Sequence, residues 1–394
     1  MARIPSRDRE SATKEDLLGR ASDLVSVLKE RALETENLRQ MPAENVRDII
    51  ASGLVRIGNP ARYGGYDSPD FEYDSMFDVA WELGRGCGSS AWCYAVWTVH
   101  AWLTGHFPEQ GQEEFWATGP DTLCSSAFSP AGAKAVQVSG GYRVSGRWDF
   151  SSGSDACQWA MLGVPGADPN QPRWVLVPRS DYEIVDTWFT SGMRGTGSKD
   201  IVIKEAFVPD HRSLDVSCAG ETDWTGWQLH NRLSYRLPLR VMLGWDLAAP
   251  LIGIAQGAVD EFTSRMAAGG PRGRSSEAVA IQLRLAEASA EVDAARMIHR
   301  STIQEILAKA DRDETYTPLE RARYVRNRAY VAKLCVAAVN RLFEASGGHA
   351  LFDSQPMQRF HRDAHAASHQ FTFYWDSAGE NYGRLALGLS LAGR

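Results

Sequence analysis

A strict two-residue alternation, Tyr142, Val144, Gly146, Trp148 and Phe150, sits inside a chain whose two flanks repeat their apolar residues every three or four positions. Period two marks a strand with one buried face, and period 3.6 a helix with one buried stripe. A chain that passes from one to the other and back cannot close as a lone bundle or a lone sandwich, because each pattern buries its apolar side against a different neighbour. The expected class is therefore α+β, in the order helical, β, helical.

The N-terminal stripe is plain at Leu17, Leu18, Ala21, Leu24, Val25 and Leu28. A second helix starts at Met41-Pro42-Ala43-Glu44, where a proline near the first turn lacks an N–H that had no partner anyway. Helices are also expected over about Phe71 to Leu83 and Ser89 to Phe107. The texture changes near Pro120. Gly140-Gly141 suits a hairpin turn, and Trp174 to Val177 and Ile201 to Ile203 read as further strands. After Pro250 the helical period returns over Ala255 to Met266, Glu277 to Lys309 and Pro318 to Ala345. Gly347-Gly348 then breaks the pattern, and Pro356 opens the next helix. Asp215 to Arg236, rich in Trp and polar residues, reads as a connecting or lid loop. The expected division is an N-terminal helical domain over 14–118, a central β-barrel or sandwich over 119–217, and a connecting loop with a C-terminal four-helix bundle over 218–394.

Composition narrows the class of function. With 394 residues the chain can bury a sizeable core, and its net charge of −7 argues against a nucleic-acid partner. No stretch approaches the ~18 uninterrupted apolar residues of a membrane span, and the charged Met1 to Lys14 is unlike a secretory leader. The six cysteines lack metal-ligand spacing. They read as buried reduced thiols of a cytoplasmic protein without a metal centre.

Two segments carry paired hydroxyls on neighbouring strand candidates, Cys124-Ser125-Ser126 and Ser151-Ser152-Gly153. A flat ring with polar edges could be gripped there, since a serine both donates and accepts. The plain alternative is that these serines cap turns. Imidazoles stand in two other places, His100 within Trp97-Thr98-Val99-His100-Ala101-Trp102, and His365 and His369 on a C-terminal helix candidate. Together they read as a flavin site assembled from three parts of the chain.

The order of seven motifs strengthens this reading: Tyr63-Gly64-Gly65, Cys87 to Trp92, Cys124-Ser125-Ser126, Ser151 to Asp155, Arg194 to Ser198, Arg341 to Gly347 and Arg362-Asp363-Ala364-His365. In this order the chain resembles the acyl-CoA dehydrogenase fold. More narrowly, it is similar to the oxygenase components of two-component flavin-dependent aromatic hydroxylases, of the p-hydroxyphenylacetate and secosteroid-phenol types. The resemblance implies a separate NAD(P)H:flavin reductase, reduced FMN or FAD as cofactor, and O₂ as co-substrate. It also implies a C4a-hydroperoxide that oxygenates a small phenolic ring, and a homotetramer.

Residue by residue, the resemblance implies that Ser126 and Ser151 meet the isoalloxazine edge, with Ser125 and Ser152 their neighbours. Trp148 either packs along the ring or fills the sheet core. His100 would contact the phenolic oxygen. The second C-terminal histidine of such hydroxylases falls on Gln370, so either Gln370 stands in for it or His369 takes its place beside His365. Arg240 would approach the ring. Arg265, with Arg272 and Arg274 about a Gly-rich loop, would receive the phosphate, and Gly347-Gly348 would reach the cofactor of a neighbouring subunit. Trp97, Trp102, Phe371 and Trp375 are the candidate substrate wall. His106, His349 and His361 read as structural.

Two rivals share the fold. An acyl-CoA dehydrogenase needs a carboxylate base, yet Gln370-Phe371-Thr372 holds none and Val241 to Pro250 offers Asp246 alone. An S- or N-oxygenase would keep the cofactor and change the target.

Overall fold

The computed structural model describes residues 12–66, 74–166, 168, 171–217, 225–269 and 278–391. Six helices come first: α1 Lys14–Glu30, α2 Ala32–Leu38, α3 Ala43–Ala51, α4 Asp74–Gly84, α5 Gly88–Thr104 and α6 Glu109–Phe115. Thr13 starts α1 with a capping box, its hydroxyl accepting from Asp16 N (3.1 Å) while the Asp16 carboxylate accepts from Thr13 N. Every residue of α5 is buried, as suits a helix without a charged side chain, and it packs against α4 as the centre of the molecule.

Eight strands follow: β1 Cys124–Ala127, β2 Ala133–Val138, β3 Gly141–Ser151, β4 Trp159–Val164, β5 Arg173–Pro178, β6 Glu183–Val185, β7 Lys199–Pro209 and β8 Ser213–Asp215. They form two four-stranded sheets, β1-β4-β5-β8 and β2-β3-β7-β6, in which β1 and β4 run parallel and the other pairs antiparallel. The alternation seen in the sequence becomes burial here. Tyr142, Val144 and Trp148 enter a core shared with Ala160, Leu162, Val175 and Ile201. The alternation stops one residue early. A register shift between Trp148 and Ser151 leaves Phe150 at φ +64° and 66% exposed, outside that core.

The last elements are α7 Thr225–His230, α8 Leu239–Met242, α9 Trp245–Ala267, α10 Val279–Asp311, α11 Pro318–Ser346, α12 Pro356–Ser368 and α13 Trp375–Ala386. Here α9, α10 and α11 pack along one another, and α12 and α13 lie against α11. Leu239–Ala267 is apolar and long enough to match a membrane span by composition, but it is mostly buried and serves as core.

Three expectations shift. The long helix expected over Ala255 to Met266 begins at Trp245 and runs through Pro250, because a proline in the second turn costs one hydrogen bond and leaves the helix intact. The connecting segment holds α7 and a 3₁₀ turn over Leu233–Arg236. The two serine strands are not neighbours in one sheet: β1 and β3 belong to different sheets that face each other.

Candidate active site

His100, on the α5 face that meets β1, donates from Nδ1 to the Cys124 carbonyl (3.0 Å) and meets Phe128 edge to face at 5.6 Å. Phe128 in turn stacks on Trp174 at 4.1 Å. Burial lowers the His100 pKa to about 4, so the ring is neutral at pH 7 with its proton on Nδ1. Nε2 is then an acceptor, and no described residue bonds to it.

Alternation along β1 sorts the first serine pair. Cys124 packs with the helical core and Ala127 inside the sheets, so Ser126 shares the helix-facing side with Cys124 while Ser125 points between the sheets. Ser125 is fully buried and accepts from the Ser151 hydroxyl at 3.0 Å, a bond between the two sheets. Ser126 is half-buried and makes no side-chain bond to a described residue.

The second pair ends in a one-way chain. Thr196 Oγ1 gives its proton to Met193 O (2.9 Å), so it accepts from Ser198 at 2.7 Å. Ser198 therefore accepts from Ser152, also at 2.7 Å, and Trp92 Nε1 donates to Ser152 at 3.3 Å. With its proton spent, Ser152 meets any further group only as an acceptor. Gly153 closes this turn at φ +68°, where a Cβ would lie 2.7 Å from the Trp97 indole nitrogen.

Five side chains expected at a ligand are interior. Trp148 donates to Gly163 O (2.8 Å) inside the sheets, which resolves its two readings in favour of the core. Trp97 and Trp102 are fully buried, the latter donating to Ser234 O at 3.0 Å, and Ser125 and Ser151 have no exposed surface.

The C-terminal residues gather on α12 and the turn after it. Asp363 is buried, which pushes its pKa up to about 6, and accepts from Met193 N at 2.6 Å. That bond ties α12 to the loop holding Thr196 and Ser198. Arg362 adds bonds to Ser191 O (2.7 Å) and to Glu36. His365 Nε2 donates to Asn340 Oδ1 at 2.7 Å, beside His361 at 4.6 Å. His369 is exposed and donates from Nδ1 to His365 O (2.7 Å). The Gln370 carbonyl is used locally, accepting from Thr372 N (2.7 Å) and from the Thr372 hydroxyl, so only its amide N–H groups remain. Phe371 is 72% exposed, and Trp375 is half-buried under Lys333 at 4.4 Å. No hydrogen bond or ring contact joins this group to His100.

Of the cations, Arg265 lies beside Gly347-Gly348, with Nη2 3.4 Å from His349 Nδ1. Its Nη1 is buried and without a hydrogen-bond partner, and no carboxylate pairs with it among the described residues. A buried donor of that kind suits a phosphate oxygen. Arg240 is exposed and only reaches Ser217 O at 3.3 Å; Arg272 and Arg274 lie outside the described residues. Among the described residues no cluster of His, Cys, Asp or Glu could hold a metal, and the five described cysteines are buried free thiols. Cys218 lies outside them.

Thr196 and Ser198 stand in a sequence motif that shows no task for either, and no spacing in the sequence marks Met193. Asp246, the one carboxylate open to a dehydrogenase base, is buried and accepts from Gly244 N at 2.8 Å, and its pKa is pushed up to about 6.

A family model described as acyl-CoA dehydrogenase, C-terminal domain, matches residues 246–374. The flavin-dependent monooxygenase, oxygenase subunit HsaA, of Mycobacterium tuberculosis is 34% identical across 93% of this chain and 92% of its own. The FADH(2)-dependent resorcinol hydroxylase, oxygenase component, of a Rhizobium species is 31% identical across 96% of this chain and 95% of its own. A crystal structure of the HsaA monooxygenase from M. tuberculosis superposes with a TM-score of 0.90 at 31% identity, covering 97% of this chain and 99% of that one.

Proposed function

We infer the division of labour from one premise: the chain belongs to the oxygenase components of two-component flavin-dependent aromatic hydroxylases, built on the acyl-CoA dehydrogenase fold. It is a flavin-dependent monooxygenase that takes reduced flavin from a separate reductase and uses O₂ to hydroxylate an aromatic ring. The bound flavin supplies the oxygen chemistry, and the protein supplies binding, orientation and exclusion of water.

The ring's hydrogen-bonding edge would meet Ser126 and Ser152, with Ser125, Ser151 and Trp148 holding the strands that carry them. Ser152 as an acceptor suits reduced flavin, which carries an N–H where the oxidised ring has a bare nitrogen. Arg265 would take the phosphate. His100 Nε2 would accept the hydrogen bond of a phenol and so enrich the ring carbon beside it. With its pKa at about 4, His100 is too weak to hold that proton outright. Against a phenol near pKa ~10 the gap is about 8 kcal/mol. The proton therefore moves as the ring is attacked, and not before.

The observation that carries a phenolic substrate is that acceptor nitrogen: neutral, fixed in tautomer by the Cys124 carbonyl and without a donor among the described residues. A thioether or thiophene target gives it nothing to accept from, and an amine offers only a weaker N–H donor than the phenol O–H. The deciding experiment mixes the protein with reduced FMN or FAD and air, then offers phenols, indoles, thiophenes and amines. Hydroxylated phenol is expected, and a panel in which sulfides are oxygenated and phenols are not would refute the choice.

We also propose a homotetramer working in the cytoplasm. Leu351 (68% exposed) and Phe352 (60% exposed) adjoin the Gly347-Gly348 segment near Arg265, an apolar pair better covered than left in water. Sedimentation of the purified protein tests this: a monomer at micromolar concentration would exclude it.

A further inference from the structure

Arg328 of α11 is 5% exposed and makes no ion pair with a described residue, although Asp246 of α9, itself 7% exposed, is its charged neighbour. Its guanidinium reaches two backbone carbonyls instead, Leu243 O at the α8–α9 corner and Thr372 O (3.2 Å) in the turn after α12. Burying a charge this deeply is costly unless it satisfies groups that would otherwise be stranded. These two carbonyls are such groups, since both lie in short irregular segments.

The two segments are also pressed together. Gly244 stands at φ +89°, and a Cβ there would lie 2.7 Å from Thr372 Oγ1. Asp246 holds that corner through Gly244 N, while Thr372 gives its N–H and its hydroxyl to Gln370 Oε1. One arginine thus joins α11 to the corner over 243–246 and to the turn over 370–373. That turn follows directly on His369 and carries the exposed Phe371.

We propose that Arg328, balanced by Asp246, is a positioning residue that fixes the His369–Phe371 segment at the flavin pocket and so sets how much of the O₂ consumed ends in hydroxylated product. The inference rests on the hydroxylase reading above, in which the resemblance puts His369 beside the flavin and Phe371 on the substrate wall.

The test uses the full-length protein and two variants, Arg328→Met, which keeps the bulk and loses both bonds, and Arg328→Lys, which keeps the charge and can reach one carbonyl. Amide hydrogen exchange over residues 369–374 reports the clamp without any turnover. Removing a charge-assisted bond is expected to speed exchange at Thr372 and Phe373 about tenfold or more, with α10 unchanged. Product formed per O₂ should fall at least about threefold in Arg328→Met, with Arg328→Lys in between, while affinity for reduced FMN changes less than about twofold. Unchanged exchange overturns the clamp. Faster exchange with undiminished product per O₂ overturns the positioning role. Should Arg328→Met not fold, Arg328→Lys decides by the same two readings. An unaltered protein that hydroxylates nothing sinks the hydroxylase reading, and this role with it.

Discussion

Ser152 has one proton, and the run of hydroxyls behind it uses that proton inside the protein. Polarity of this kind is set by the end of the chain: Met193 O can only accept, so every upstream hydroxyl points the same way. Ser198→Ala breaks the sequence one step from Ser152 and returns the proton to it. A serine free to donate can serve the bare nitrogen of oxidised flavin as well as it once served the reduced N–H. The preference for reduced over oxidised FMN is expected to shrink about three- to tenfold, read by paired binding titrations, in line with one hydrogen bond of ordinary strength. His100 answers to a different measurement. In His100→Ala the product formed per O₂ should fall about a hundredfold or more, the scale of one lost acid–base group, while O₂ is still consumed by the flavin complex. Because burial holds its pKa at about 4, product yield should show no His100 limb between pH 8 and pH 5. An inflection near 6.5 would mean that the imidazole is hydrated and does not sit against Phe128 and Cys124 as it does here.

At the scale of elements, α5 was legible as an apolar run that is buried throughout, and β3 by an alternation that burial follows as far as Trp148. Which serine of each pair faces outward was not. Alternation says that Ser125 and Ser126 point opposite ways, but only the pairing of β1 with β4 decides which side meets the helices. Pro250 misled for a related reason: a proline reads as a boundary locally, whereas α9 is held by packing against α4, α11 and α12 and continues through it. The one-way hydroxyl chain and the Arg328 clamp each join residues far apart in sequence, and no periodicity records such pairs. Gly153 is the element-scale position most exposed to test. Alanine there would need φ +68° and would set its Cβ 2.7 Å from Trp97 Nε1 in a fully buried contact. The turn that holds Ser152 and the α5 face would separate, and Gly153→Ala should cost about 2–4 kcal/mol in urea unfolding. A cost below about 0.5 kcal/mol, the level of an ordinary surface change, would show that α5 and this turn are not packed as described.

The molecule as a whole carries a mixed set of buried ionisable groups, and their opposing signs decide how it meets acid. His100 and His299 have pKa values lowered to about 4 and His106 to about 3, all by burial, from an unfolded value of 6.5. Between pH 5.5 and 4.5 the unfolded chain therefore binds about three more protons at these sites, and stability falls as pH falls. Asp246 and Asp363 act the other way. Burial raises each to about 6 from 3.8, so in the same window the folded state holds about two protons that the unfolded chain has released. Over these five groups the difference is about one proton, a loss of about 1.4 kcal/mol per pH unit on acidification, and His230, also lowered to about 4 by burial, adds to that loss. Asp246→Asn removes one opposing group. Its acid slope should steepen by about 1.4 kcal/mol per pH unit, with little change in slope above pH 7, where both aspartates are ionised in either state. Urea midpoints taken from pH 7.5 to 4.5 for the two proteins measure this directly. Parallel curves would mean that Asp246 titrates as in water and that the α9 corner is open to solvent, which would also remove the reason for Arg328 to be charge-balanced there.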